Sequence, residues 1–288
     1  MGRSCRRGFV MSQTSRPSPS QTAPAWDDAL LANPHAVADK RRRVRQMFAA
    51  IAPSYDLNNR LHSLWQDQRW RRKAVTLAEL HALDDVVDVA CGTGDLSIAF
   101  ARGLERAGEF TMPREDLTGS VIGVDFTFEM LPLARLKIAN RKSQIANCKF
   151  INADAQSLPL PDASADVVSI AFGIRNVQDP AAAVREFYRI LRPGGRVIVL
   201  EFSLPTDRLL RAMYNFYFRR VLPRTATLIS GDKTGAYKYL PESVNTFIGR
   251  EQMTAMLRDG GFEQVEQFPM TFGVCVCYRA FKPGPRPA

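Results

Sequence analysis

The stretch Asp88-Val89-Ala90-Cys91-Gly92-Thr93-Gly94 decides the fold, because it carries a short β-branched run through a glycine-rich turn into a helical pattern. A strand that ends in such a turn and enters a helix lets a ligand approach bare backbone. We therefore expect a ligand site directly after this strand. An ordinary tight turn is the alternative that these residues leave open.

Around this turn, short apolar strands alternate with helical patterns. The strands are expected at 85–90, 121–124, 149–151, 166–172 and 196–201, followed by two antiparallel-looking strands near 263–268 and 272–281. The alternation is typical of βαβ units and predicts an α/β fold with a mostly parallel sheet. Residues 36 to about 80 show a helical pattern that Pro53 interrupts, so N-terminal helices should precede the sheet.

The chain divides into a polar start and one long domain. Residues 1–35 are rich in Ser, Pro, Thr, Gln and Arg, and we expect a disordered basic extension there. Residues 36–288 should form a single domain with a helical cap at its N-terminal side. We favour a cytoplasmic protein, peripheral to the inner membrane face. The mitochondrial matrix is the alternative, because the extension also has the acid-poor composition of a transit peptide.

The basic charge limits the partners. A net charge of +10 favours anionic ones, and the cluster at 40–45 is interpreted as a solvated helix face or as a contact with an anionic membrane surface. No known nucleic-acid module accompanies it, so nucleic acid is not expected. Cys275 and Cys277 share one strand face, but no second ligand pair accompanies them. We expect buried small hydrophobes there, and no metal.

Two cofactors compete for the glycine-rich turn. A dinucleotide site needs a third glycine where Ser97 stands, and its ribose acid about 20 residues further on, whereas Asp125 follows Gly94 by roughly 30. A methyltransferase uses the same turn without a pyrophosphate, and Asp125 would then accept hydrogen bonds from both ribose hydroxyls. Asp154, after the third strand, could accept from the adenine amine, although an exposed loop aspartate explains it equally well.

Several motifs, in this order along the chain, resemble the ubiquinone/menaquinone biosynthesis C-methyltransferase family. They are Tyr55-Asp56-Leu57-Asn58-Asn59 with Trp70-Arg71-Arg72, Phe172-Gly173-Ile174-Arg175-Asn176-Val177, Glu186 with Arg189-Ile190-Leu191-Arg192-Pro193-Gly194-Gly195, and Tyr237-Lys238-Tyr239-Leu240-Pro241-Glu242-Ser243 with Gly260-Gly261-Phe262. The resemblance covers about residues 43 to 282. It implies the class I methyltransferase fold, a Rossmann-like, seven-stranded, mostly parallel sheet with an antiparallel C-terminal hairpin.

The resemblance also implies a cofactor, S-adenosylmethionine (SAM), and a prenylated quinol substrate. The expected reaction is C-methylation of demethylmenaquinol to menaquinol. The benzoquinol step of ubiquinone biosynthesis, or another small-molecule or sterol methylation, is the alternative, and a homo-oligomer is left open. The cofactor-binding residues carried over onto this chain are Asp88, Gly92, Thr93, Gly94, Asp125, Asp154, Ala155 and Ala171, the last of which stands where the family often has serine.

The resemblance implies four residues for the chemistry. Arg175 would stabilise a phenolate or orient a water acting as base, because its guanidinium is always charged. A salt bridge at a helix entry is the alternative. Asn176 would orient a ring oxygen, Tyr55 would close over the site or serve in packing, and Asp56 would assist. The apolar stretch 209–222 is interpreted either as a helix packed on the core or as a cover for a prenyl chain.

Overall fold

The computed structural model describes residues 25–108, 119–140 and 147–285, and these form one seven-stranded sheet covered by helices. The strands are β1 Asp85–Val89, β2 Ser120–Asp125, β3 Cys148–Asn152, β4 Ala165–Ala171, β5 Leu191–Phe202, β6 Glu263–Met270 and β7 Cys275–Phe281. Their order across the sheet is β3-β2-β1-β4-β5-β7-β6. Strands β1 to β5 pair in parallel, while β7 runs antiparallel to both β5 and β6. The predicted fold class is confirmed.

Helices follow the strands as the βαβ pattern requires. Those that alternate with the strands are α5 Asp95–Gly108, α6 Met130–Ala139 and α7 Pro180–Ile190, and α11 Arg250–Asp259 precedes β6. The parallel strands are apolar on both sides, and β4 is buried from Ala165 to Ile170. Strands of this kind are expected where helices cover both faces of a sheet. Cys275 and Cys277 are fully buried in this core, as predicted for small hydrophobes.

A second set of helices forms a cap over the carboxyl ends of the strands. Its members are α1 Asp28–Leu31, α2 Lys40–Ile51, α3 Tyr55–His62, α8 Arg208–Phe216, a π-helical turn Tyr217–Val221, α9 Leu222–Ser230 and α10 Ala236–Thr246. Helix α4 Gln66–Leu77 packs on the face of the sheet, against α5, β5 and β7. The break predicted at Pro53 is a 3₁₀ turn, Ala52–Ser54, between α2 and α3. Within the described residues, no helix is both long enough and apolar enough to cross a membrane.

Residues 25–35, at the end of the predicted extension, are packed onto the cap. Trp26 is 2% exposed, and its ring lies 4.5 Å from the ring of Tyr239. Its backbone N–H donates to the carbonyl of Thr234, and Asp27 caps α1 by accepting from the N–H of Leu30. A single tryptophan in a polar composition carries little sequence signal, but it buries a large apolar area. The remainder of the predicted extension, residues 1–24, lies outside the described residues.

Trp26→Ala should lower the free energy of unfolding by about 3–5 kcal/mol, the usual effect of deleting a large core side chain. Trp65→Ala is the matched control, because Trp65 is 56% exposed. Chemical denaturation of both variants measures the difference. Equal, small effects would show that residues 25–35 contribute nothing to the fold.

Candidate active site

The glycine-rich turn after β1 has left-handed backbone at Ala90 (φ 53°), Gly92 (φ 55°) and Gly94 (φ 81°). A non-glycine residue in this region is uncommon and marks strain that surrounding structure must hold. At Gly94 the reason for glycine is also steric, because a Cβ would lie 3.0 Å from the side chains of Ala134 and Phe150. The turn therefore combines an open backbone at Gly92 with a closely packed one at Gly94.

Asp125, at the end of β2, holds the turn in place and still has free acceptor positions. Its Oδ2 accepts from the N–H of Gly92 at 2.8 Å, and its Oδ1 accepts from the N–H of Thr127 at 2.7 Å. A carboxylate has about four lone-pair positions, so acceptor capacity remains beside these two bonds. Burial raises the pKa of Asp125 to about 6, against the two backbone N–H groups that lower it. The group is thus an ionised, desolvated acceptor near neutral pH.

A cavity opens beside this turn, with about 770 Å³ of empty space that includes solvent at its mouth. It runs along the carboxyl ends of β1, β2 and β4, under α2 and α3. Its lining includes seven of the residues predicted for the site: Tyr55, Gly92, Asp125, Asp154, Ala155, Ala171 and Asn176.

Three predicted cofactor residues lie behind the cavity rather than in its wall. Asp88 is 1% exposed, and its carboxylate accepts from the hydroxyls of Ser97 (2.6 Å) and Ser169 (2.7 Å), so it anchors α5 to the sheet. Burial raises the pKa of Asp88 to about 6. Thr93 turns its hydroxyl toward the cap, and Gly94 serves the packing described above.

Two residues without a predicted role complete the end of the cavity at Asp154. Arg41 of α2 lies 3.0 Å from Asp154 and stacks over the ring of Phe126 at 4.5 Å. Phe126 directly follows Asp125, and an aromatic residue at that place is a signal that sequence reasoning could have used. Arg41 belongs to the basic cluster that was interpreted as solvated or membrane-facing. Its side chain is 54% exposed, and it also reaches across the cavity mouth to Asp154.

A second cavity, of about 660 Å³, adjoins the first. Phe48, Tyr55 and Phe172 line both cavities, so these three aromatic side chains stand where the two meet. The second cavity is mainly aromatic and aliphatic, and two buried arginines, Arg71 and Arg175, contribute its cationic groups. An apolar cavity with few, placed polar groups is typical of a site for a flat organic ligand.

Arg175 lines the second cavity as one half of a buried ion pair. Its Nη1 lies 2.6 Å from Oε1 of Glu201 and donates to the carbonyl of Phe172 at 2.8 Å, while its Nε donates to Oγ of Ser243 at 3.3 Å. The salt bridge that was the alternative interpretation of Arg175 is present. No hydrogen bond among the described residues uses Nη2, which leaves that donor for a ligand.

The neighbouring Asn176 uses one donor and one acceptor position of its amide within the protein. Its Nδ2 donates to the carbonyl of Phe172 at 3.2 Å, and its Oδ1 accepts from the hydroxyl of Tyr239 at 2.9 Å. Because Tyr239 packs on Trp26, the N-terminal segment supports the wall of the site. One N–H and one lone pair of the amide remain beside these bonds, and Asn176 lines the first cavity.

The cap is fastened to the glycine-rich turn by a cluster of charged side chains. Nζ of Lys137, on α6, lies 2.6 Å from both Asp56 and Asp95, and donates to Oγ1 of Thr93 at 2.7 Å. Thr93 in turn donates to Asp56 at 2.6 Å. Burial would raise the pKa of Asp95, but Lys137, Arg71 and Arg60 outweigh it and lower that pKa. Asp56 lines neither cavity, and it serves the site by holding α3 against the glycine-rich turn.

Comparison with known proteins places this site in a family. Demethylmenaquinone methyltransferase of Thermus thermophilus is 44% identical over 238 residues, which span 82% of this chain and the whole of that protein. Ubiquinone/menaquinone biosynthesis C-methyltransferase UbiE of Geobacter sulfurreducens is 40% identical over 248 residues, 86% of this chain and 91% of its own.

Solved structures agree on the fold. A SAM-dependent methyltransferase of Thermotoga maritima superposes with a TM-score of 0.53 at 21% identity, covering 83% of this chain and 99% of its own. The model of the ubiE/COQ5 methyltransferase family matches residues 36–282, which include every cavity-lining residue described above. The chain belongs to the ubiE/COQ5 methyltransferase family and is a SAM-dependent methyltransferase.

Proposed function

We propose that this chain binds SAM in the first cavity and a prenylated quinol in the second, and that the quinol is demethylmenaquinol. The observation that carries the proposal is the meeting of the two cavities at Tyr55 and Phe172, one cavity bearing a buried carboxylate and the other two buried arginines. The name and full-length similarity of the Thermus relative support the naphthoquinol over the benzoquinol.

The residues of the first cavity fit the cofactor. Asp125 would accept from the two ribose hydroxyls with the lone pairs that Gly92 and Thr127 leave free. The backbone at Gly92 is open to the methionyl part, and Phe126 with Asp154 stands at the adenine end. When bound, SAM supplies a sulfonium methyl group that a nucleophilic carbon can displace.

The second cavity would hold the quinol ring and stabilise its charged form. A ring carbon becomes nucleophilic when a neighbouring hydroxyl loses its proton, so a cation beside the oxygen lowers the cost of that step. Nη2 of Arg175 is the donor available for this, with Glu201 fixing the guanidinium plane. Phe172 and Tyr55 enclose the junction and exclude water from it.

The direct test is methyl transfer from labelled SAM to reduced and oxidised demethylmenaquinone in detergent. We expect a ring-methylated product from the quinol and none from the quinone, because only the quinol has a hydroxyl to ionise. The corresponding benzoquinol is the comparison substrate. Faster turnover of the benzoquinol would overturn the naphthoquinol assignment, and turnover of neither would overturn the function.

Asp125→Asn should raise the dissociation constant for SAM at least about tenfold, because a buried acceptor for the ribose is lost. The wild-type affinity should also fall as pH drops through about 6, where the raised pKa of Asp125 lets it protonate and lose acceptor positions. This pH dependence should be absent from the variant. Calorimetry from about pH 5 to about pH 8, a range that brackets the pKa of Asp125, measures both. Asp162→Asn, at an exposed carboxylate, is the control, and equal behaviour of the two variants would remove Asp125 from the site.

Arg175→Met should lower the free energy of unfolding by about 3–5 kcal/mol, because it leaves Glu201 charged and buried. The double variant Arg175→Met/Glu201→Gln removes both charges and keeps an acceptor for the N–H of Phe202, so it should recover much of that stability.

The double variant separates the two roles of Arg175. If Arg175 stabilises the phenolate, the folded double variant should turn over about a hundredfold more slowly with unchanged affinity for SAM. Single-turnover methyl transfer and calorimetry on one preparation measure both. Wild-type turnover in the double variant would show that Arg175 serves the fold alone.

A further inference from the structure

Two helices of the cap expose apolar stripes that a helix in water would turn inward. Leu209, Met213 and Phe216 of α8 are spaced i, i+4 and i+7, and they are 70%, 61% and 65% exposed. Residues at this spacing lie on one face of a helix. The interpretation of this stretch as a helix packed on the core therefore holds for only one side of α8, where Tyr214 is buried.

Helix α3 also exposes apolar side chains to solvent. Its inner face carries Tyr55, Asn59 and Ser63, which line the second cavity. Its outer side carries Leu57 and Leu61, and the residues that follow are Leu64 and Trp65; the exposed fractions of these four side chains range from 37% to 77%. One helix thus separates the substrate cavity from an exposed apolar face.

The two stripes belong to one side of the cap. The hydroxyl of Tyr217, just after α8, donates to the carbonyl of His62 at the end of α3, and Nε2 of His62 lies 2.9 Å from Oγ1 of Thr225 on α9. Farther along α9, Leu228 is 86% exposed. We call the exposed side chains of Leu57, Leu61, Leu64, Trp65, Leu209, Met213, Phe216 and Leu228 the apolar cap face. An exposed apolar area of this extent marks a binding surface.

The charged residues of the segment 208–230 are all basic. Residues 208–230 contain five arginines, at 208, 211, 219, 220 and 224, and no aspartate or glutamate. In the described part of the chain, Arg219 pairs with Glu242, while Arg208 and Arg220 are exposed and form no ion pair. Arginines beside apolar side chains are the composition of a helix that lies in the interface of an anionic bilayer.

We propose that the apolar cap face docks on the surface of an anionic lipid bilayer, with α3 as the wall between that surface and the substrate cavity. The proposal rests on the proposed function, because a prenyl chain keeps its quinol in the bilayer and the ring must reach a cavity that α3 borders. A second copy of the chain fits less well. In a two-fold dimer the same face meets itself, which would set a segment with basic and no acidic residues against its own copy.

The test is co-sedimentation of the full chain with vesicles of phosphatidylcholine alone, and with vesicles of equal parts phosphatidylcholine and phosphatidylglycerol. We expect binding to the anionic vesicles, weakened by salt. Met213→Ser/Phe216→Ser should weaken it about tenfold or more, since two apolar side chains no longer enter the lipid. Leu83→Ser/Leu136→Ser is the matched control at exposed side chains outside the cap, and it should bind as the wild type does.

Turnover on two substrates separates the docking surface from the active site. On a vesicle-embedded quinol, Met213→Ser/Phe216→Ser should lose about as much turnover as it loses binding, while on a quinol with a short side chain it should match the wild type. Wild-type failure on both quinols, with vesicle binding intact, would overturn the proposed function and leave the surface standing. Equal binding of the variant and the control to anionic vesicles would overturn the docking proposal. A wild-type dimer in vesicle-free solution that becomes a monomer in Met213→Ser/Phe216→Ser would also overturn it.

Discussion

The arrangement of the site depends on Lys137, which joins three parts of the chain at one ammonium group. Its contacts reach Asp56 at the start of α3, Thr93 in the glycine-rich turn and Asp95 at the start of α5. The cluster is partly buried, so solvent and salt screen it less than a surface pair. Because Tyr55 directly precedes Asp56, fastening Asp56 also fixes the tyrosine. A Cβ at Gly92 would lie only 3.8 Å from the Tyr55 ring. We call these contacts of Lys137 with Asp56, Thr93 and Asp95 the Lys137 clamp. It fixes Tyr55 over the cofactor cavity and at the boundary between the two cavities.

The part of the site that lies on the sheet could be predicted from the sequence. Parallel strands end at one edge, so residues that follow successive strands meet there. Gly92 follows β1, Asp125 ends β2, Asp154 follows β3 and Ala171 ends β4, and all four line one cavity. The family resemblance added Tyr55 and Arg175, because the order of strands and helices does not by itself place these two residues at this edge of the sheet.

The remainder depends on contacts between residues that are distant in sequence, which local patterns do not encode. Asp88 has the position of a ligand residue, but two serine hydroxyls use its carboxylate. Arg175 pairs with Glu201 because β4 and β5 are neighbours, so a residue just past one strand reaches the end of the next. Trp26 is buried because its ring packs on that of Tyr239. In each case the partner, and not the residue itself, decides the role.

The most direct measurement of how the cap closes the cofactor site is the dissociation rate of SAM from Lys137→Met, followed by stopped-flow. Lys238→Met, which removes an exposed lysine paired with Asp28, is the control. Loss of the clamp should raise the dissociation rate about tenfold or more, since Asp56 and Asp95 then lose the cation that lies between them. The melting temperature should change little, because the sheet and its core stay intact. A dissociation rate equal to that of the control would contradict closure of the cofactor cavity by the Lys137 clamp.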